Sequence, residues 1–247
     1  MNYCEFLYLV FTTSSLILIL LLLQDVGMTP PKGILLHGHT GCGKSLLAEA
    51  FACKYALSFV SVHTADLDAN LVDRVIAEVD ASLPCVVLIK HIDFPRRAFN
   101  KKELKLCLET FMRHTLDTQK RVFVFGTAFK RTDVDPAYLR ADRLETSVHV
   151  PKPNKEARLI RLRSLLCSQR NANLNYDDLD YVKVADLMQG LTHTDVLKIC
   201  DIALGNLRVT TPDGLEGKIS ITKDDMLRAI TEYCSIIRKD AMIDSPD

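Results

Sequence analysis

Eight consecutive residues, Gly38, His39, Thr40, Gly41, Cys42, Gly43, Lys44 and Ser45, carry the spacing G-x-x-x-x-G-K-S. The chemistry this spacing supports is the holding of phosphate. Glycines let successive backbone N–H groups turn inward and form a concave anion nest. A helix starting near Lys44 adds the positive end of its dipole. Lys44 can then reach the β- and γ-phosphates of a nucleotide, and the Ser45 hydroxyl can coordinate Mg²⁺. The plain alternative is a chance glycine turn. A strand-like run before the loop and a helical pattern after it favour the phosphate loop.

A site that hydrolyses phosphate needs more than a loop. One carboxylate helps to hold the metal, and another polarises the attacking water. That pair belongs at the end of a later buried strand. The stretch that qualifies reads "CVVLIKHIDF", from Cys85 to Phe94, and it puts Lys90 and His91 in the two places. Asp93 follows three residues after Lys90. An odd shift along a strand reverses the face, so Asp93 is a poor substitute for a carboxylate at position 90.

The elements that must position these residues can be read from hydrophobic periodicity. "GILLH" (33–37) is a short strand-like run led in by Pro30 and Pro31, and "SLLAEAFACKYA" follows with Leu46, Leu47, Ala50 and Phe51 on one helical face. "LSFVSVH" is strand-like, and "LVDRVIAEVDAS" is helical through Leu71, Val75, Ile76 and Val79. "CVVLI", "RVFVFGT" and "SVHV" read as further strands, with "KKELKLCLETFMRHTL" as a helix among them. Strands alternating with helices predict an α/β fold, a parallel sheet covered on both faces.

After "PKPN" (151–154) only helical patterns remain. "KEARLIRLRSLLCS" is amphipathic, and "YVKVADLMQG" ends at Gly190, a C-terminal glycine stop. Thr192 or Thr194 can cap the next helix, and Thr222 caps the last one, with acidic residues in its first turn. A small α-helical part therefore follows the α/β part.

The bulk composition narrows the class. Basic and acidic residues balance at 31 each, so nothing global points to nucleic acid. A local basic cluster, Lys90, Arg96, Arg97, Lys101 and Lys102, has no interleaved aromatic residues and reads as a solvated face. The 8 cysteines include no C-x-x-C, which points to reduced thiols in a reducing compartment. One segment stands apart: Phe6 to Leu23 carries no charge over 18 residues, about the lower limit for a membrane span. It lacks the basic start and cleavage site of a secretory signal. As a span it would leave the remainder on the cytoplasmic side; the other readings are a buried helix or an erroneous start of the translated sequence.

With these motifs in hand, the chain from about Gly27 to Lys239 resembles the AAA family of P-loop ATPases, the branch that includes valosin-containing-protein-like and peroxisome-biogenesis ATPases. "GMTPPKGILLHGHTGCGKSLLAEAFA" is similar to the Walker A block and "PCVVLIKHID" to the Walker B block. "VFVFGTAFKRTDVDPAYLRADRLETSVHVPKP" is similar to the second region of homology, and "QGLTHTDVLKIC" to the sensor 2 helix. The resemblance implies a P-loop α/β nucleotide domain with a helical lid. It divides the chain into an apolar segment (1–26), the nucleotide-binding domain (27–150), the lid (151–239) and a tail (240–247). It also implies ATP and Mg²⁺ as ligands and assembly with AAA subunits of the same or another kind in a ring. Arg140 and Arg143 fall on its arginine-finger positions, which act on a neighbour's nucleotide.

This sequence departs from the family at the catalytic positions. Lys90 replaces the metal-holding Asp, His91 the catalytic Glu, and Phe129 the sensor 1 Asn. The segment "TADLDANLVDR" lacks a recognisable pore-loop aromatic, and His193 stands where the family has a small glycine against the adenine. The later acid Asp93 matches an acidic position the family also has. Two functions are expected from this pattern: a nucleotide-binding subunit with little or no hydrolysis of its own, structural or regulatory in a ring, or, alternatively, a working ATPase that remodels or unfolds proteins. Lys90 works against Mg²⁺ and could itself serve as the phosphate's counter-charge.

Overall fold

The computed structural model describes residues 33–93, 101–116, 121–140, 143–166, 174–175, 180–210 and 219–243. The apolar run Phe6–Leu23, and Arg96 and Arg97 of the basic cluster, lie outside the described residues.

In the first compact unit, which ends at Pro151, five parallel strands form one sheet: β1 (Gly33–His37), β2 (Ser58–His63), β3 (Cys85–Lys90), β4 (Val122–Ala128) and β5 (Thr146–His149). Their order is β2-β3-β4-β1-β5. Parallel neighbours require crossovers, and α1 (Lys44–Lys54), α2 (Ala69–Ala81) and α3 (Lys101–Thr115) supply them. The α/β reading of the alternating pattern holds.

β3 shows why a central parallel strand reads as one apolar run. Cys85, Val87 and Ile89 join the core on one face of the sheet with Val75, Val79 and Leu108. Val86 and Leu88 join the opposite core with Leu47, Ala48 and Phe51 of α1. Both faces are covered, so no polar alternation survives in the sequence. On α1 the buried residues are Leu47, Ala48, Phe51 and Ala52, whereas Leu46 is exposed. Leu46 therefore corrects the face expected from periodicity. The glycine loop fixes where the helix begins, and this sets its rotation.

The connection from β4 to β5 is pinned by one side chain. Leu144 is fully buried. A Cβ on Gly33 would come within 2.7 Å of its Cδ2, and one on Gly126 within 2.6 Å of its Cδ1. Leu144 thus packs against two bare backbone positions on the paired strands β1 and β4. Its N–H also donates to the Tyr138 carbonyl at 3.1 Å.

The second compact unit runs from Lys152. It holds α4 (Lys155–Leu166), α5 (Tyr181–Leu187), α6 (His193–Thr210) and α7 (Lys223–Ile243) around Leu162, Val184, Val196, Ile199, Met226 and Ala229. The C-terminal helices follow the expected pattern. The sequence reading has helices only, yet β6 (Leu174–Asn175) and β7 (Ile219–Ser220) pair in parallel. A two-residue strand is too short to leave a periodic signal. Thr192 and Asp195 make a reciprocal cap for α6: the Thr192 N–H donates to Asp195 Oδ2 at 2.7 Å and the Asp195 N–H to Thr192 Oγ1 at 3.4 Å. Among the described residues, no helix is long and apolar enough to cross a membrane.

Candidate functional site

The loop from Gly38 to Gly43 leaves β1 and enters α1. Gly38 must be glycine, because a Cβ there would lie 2.2 Å from the Val150 carbonyl oxygen. That close approach is held by the Gly38 N–H donating to Ala128 O (3.2 Å) and the Val150 N–H to His37 O (2.8 Å). Gly43 caps α1 in the left-handed region at φ 91°, and no side chain caps the helix. The first turn also carries no acidic residue. Its N–H groups and positive dipole end therefore have no carboxylate partner within the turn, as an anion site needs. Cys42 is buried under the loop, while His39 and Thr40 are exposed and Gly41 and Ser45 half-buried.

Lys44 folds back across the loop. Its ammonium donates to the carbonyls of Gly38 (2.7 Å) and His39 (2.8 Å). Burial pushes Lys44 below the ordinary lysine range, with Cys42 and Asp93 pulling it back up. At the end of β1, His37 is lowered by burial and then by His149, Arg131 and Lys44. The rings of His37 and His149 lie 5.2 Å apart. This end of the sheet is electropositive.

The end of β3 is built on the same side. Register places Lys90 beside His63, the last residues of their strands. The Thr64 hydroxyl donates to the Lys90 carbonyl at 2.6 Å. At His91 the chain turns into the left-handed region, with φ 56°. The His91 N–H donates to Thr127 Oγ1 (3.2 Å) and the Ile92 N–H to Thr127 O (2.9 Å). The strand stops at Lys90, so the alternation argument against Asp93 ends there too. Asp93 turns back to accept the Phe129 N–H at 3.2 Å through Oδ2, and Oδ1 is buried without a partner. Phe129 in turn meets His39 of the loop edge to face, with ring centroids 5.1 Å apart. Lys44, Asp93, His91 and Lys90 thus share one electrostatic neighbourhood.

The remaining candidates are carried by other elements. Arg140 is exposed at the end of a 3₁₀ turn, Pro136–Leu139, that Asp135 caps. Its carbonyl accepts the Arg143 N–H at 2.9 Å. Arg143 is half-buried, with Nη1 buried and lacking a hydrogen-bond partner. In the second unit His193 opens α6 with Nδ1 buried and unpartnered, and burial, then Arg161, lower its pKa. His63 was not singled out by motif reading. The signal for it is register: two parallel neighbouring strands that end together present their last residues side by side.

Mg²⁺ prefers carboxylate and water oxygens. The donors here are the Ser45 hydroxyl and a carboxylate, Asp93, one of whose oxygens already accepts from Phe129. Lys90 adds positive charge beside them, and His91 brings an imidazole where a carboxylate is needed. This set does not suit a hard divalent cation.

The family model described as "ATPase family associated with various cellular activities (AAA)" matches residues 34–152. The match takes in the loop, the end of β3, Phe129 and both arginines.

Proposed function

Residues 34–152 are an AAA-family ATPase domain, an ATP-binding module of the P-loop kind, and on that premise we propose that this chain binds nucleotide with little or no hydrolysis of its own. The observation that carries the proposal is the end of β3. Lys90 ends the strand and His91 follows it, and Asp93, the one nearby carboxylate among the described residues, is 5% exposed and tied to a backbone N–H. Phosphoryl transfer relies on positioning and charge neutralisation. A missing water-polarising carboxylate alone costs about 10²–10⁴-fold. His91 has a different reach from a glutamate, and Phe129 offers no amide to a water.

The AAA domain typically works as part of an oligomer. In our reading this chain is a structural or regulatory subunit of a ring-shaped remodelling complex, with nucleotide-binding domain 27–150, lid 151–239 and tail 240–247. Arg140 and Arg143 serve a neighbouring subunit's nucleotide. The exposure of Arg140 supports that assignment. The Phe6–Leu23 run is a candidate anchor, with the domain on the cytoplasmic side. The test is nucleotide binding and ATP turnover by the purified chain, with Lys44→Ala as the control.

The second reading, a working ATPase, draws on one feature. Asp93 keeps a carboxylate oxygen without a partner near Lys44. On that reading Asp93→Asn abolishes turnover that the unmodified chain displays.

A further inference from the structure

We propose that the Phe129 ring, set against His39, walls off the third-phosphate end of the loop, so that this site takes a nucleoside diphosphate in preference to a triphosphate. This rests on the nucleotide-binding reading above and names the ligand class that reading leaves open.

Lys44 marks where the phosphates end. In a loop of this kind the lysine ammonium lies against the β- and γ-phosphates. Here it bonds to the carbonyls of Gly38 (2.7 Å) and His39 (2.8 Å). The ring of that same His39 meets the Phe129 ring edge to face, with centroids 5.1 Å apart. Strand register explains the meeting. β1 and β4 are parallel neighbours with His37 beside Ala128, and the Gly38 N–H donates to Ala128 O at 3.2 Å. The chain therefore leaves the two strands side by side, toward His39 from one and through Phe129 from the other. Phe129 is fixed there at both backbone and ring. Its N–H donates to Asp93 Oδ2 at 3.2 Å, and Lys130 Nζ stands over its ring, 5.8 Å from the centroid.

A third phosphate needs donors or cations around its added charge. The phenyl ring offers neither. Other rings at this end of the sheet differ from it. His63 and His91 lie 4.9 Å apart and His37 and His149 5.2 Å, and each imidazole carries nitrogens able to bond an oxygen. Phe129 has no such atom, and the Asp93 carboxylate bonded to its N–H is a further acceptor, not a donor. Lys90 ends β3, and β4 lies between β3 and β1, so Phe129 stands between the strand of Lys90 and the loop. A γ-phosphate has to push the ring off His39 or lie against it without a partner. A diphosphate ends before the wall. Its β-phosphate keeps the loop N–H groups and Lys44, and its binding leaves the contact of Phe129 with His39 in place.

The experiment is competition against a fluorescent ADP analogue on the full chain, with ADP, ATP and a non-hydrolysable ATP analogue that excludes turnover. We expect ADP to bind at least about tenfold more tightly than either triphosphate, the worth of one forfeited charged hydrogen bond. Phe129→Asn opens the wall and supplies an amide, and should bring the triphosphates to within about threefold of ADP. His39→Ala opens the same wall from an exposed loop position and should shift the ratio in the same direction. Comparing ratios between proteins cancels any intrinsic difference among the nucleotides. A reduced preference in either variant supports the wall, and a folding defect in Phe129→Asn leaves His39→Ala to decide. Triphosphates bound as tightly as ADP by the unmodified chain overturn it, and so does a preference that neither variant reduces. Lys44→Ala separates the failures. If no nucleotide binds, or ADP binds Lys44→Ala as tightly as the unmodified chain, the nucleotide-site reading is wrong. If ADP binding needs Lys44 but the triphosphates match ADP, only the wall is wrong.

Discussion

Asp93 and Phe129 are joined side chain to backbone: the Phe129 N–H donates to Asp93 Oδ2 at 3.2 Å. The bond ties the turn after β3 to the residue that follows β4, and through the Phe129 ring it reaches His39 of the phosphate loop. Asp93 is therefore a clamp across the site and its one buried negative charge among the described residues. Asp93→Ala should cost about 1–3 kcal/mol, because it leaves a backbone N–H without its acceptor. Asp93→Asn keeps an acceptor and should cost less. It should also tighten ADP binding severalfold, since a negative charge beside Lys44 is gone. Urea unfolding and a fluorescent-nucleotide titration check both. Weaker binding by the Asn variant would mean that the carboxylate holds the nucleotide's metal, which favours a working site.

The end of β3 predicts an unusual metal response. Two unit charges about 4 Å apart interact by about 4 kcal/mol at an effective dielectric near 20. With Lys90 supplying positive charge, nucleotide affinity should change little between Mg²⁺ and EDTA. Lys90→Asp should create a metal requirement. Adding His91→Glu should restore turnover only in part, because Phe129 still stands at the sensor position. Affinity of the unmodified chain that collapses in EDTA would show that Lys90 is not the counter-ion.

The arginines predict function in a neighbour. Leu144, packed on Gly33 and Gly126, fixes the segment that carries Arg140 and Arg143. An arginine finger is worth about 10³–10⁵ in rate to the site it completes. Co-purification should therefore recover a catalytically competent AAA partner. Arg140→Ala and Arg143→Ala should lower that complex's turnover without changing ADP binding to this chain. Unchanged turnover contradicts a role in trans.

The second unit predicts a pH effect on stability. The Tyr233 hydroxyl donates to Asp195 Oδ1 at 2.6 Å, on top of the cap from Thr192. Burial pushes the Asp195 carboxyl up, but these hydrogen bonds outweigh it and hold the group below the ordinary carboxylate range. A carboxylate lowered on folding stabilises fully above its unfolded value, near pH 4, and loses that contribution as pH falls through the lower folded value. Tyr233→Phe should cost about 1 kcal/mol at pH 7, a modest figure because Asp195 keeps contact with water. The difference between the two proteins should shrink below about pH 4. A difference independent of pH would assign the loss to packing instead.

Much of this was legible in the chain itself. G-x-x-x-x-G-K-S is local, and each of its residues acts through neighbours in sequence. The apolar runs of β1, β3 and β4 are equally local, because both faces of those strands are buried. The pairings were not legible. His63 meets His91 through strand register, and Asp93 meets Phe129 across a gap of 36 residues. Strand alternation says nothing of where Asp93 points, because the strand ends at Lys90 and His91 is left-handed. Leu46 points outward for a related reason: the loop sets the phase of α1.

The central claim is that this site holds nucleotide and does not turn it over. Its most direct test is one assay on one preparation: ADP and ATP binding by titration, with phosphate release followed in the same sample, for the unmodified chain and for Lys44→Ala. The account predicts saturable binding that Lys44→Ala removes, and phosphate release indistinguishable between the two proteins. Robust release by the unmodified chain, abolished by Lys44→Ala, would contradict it.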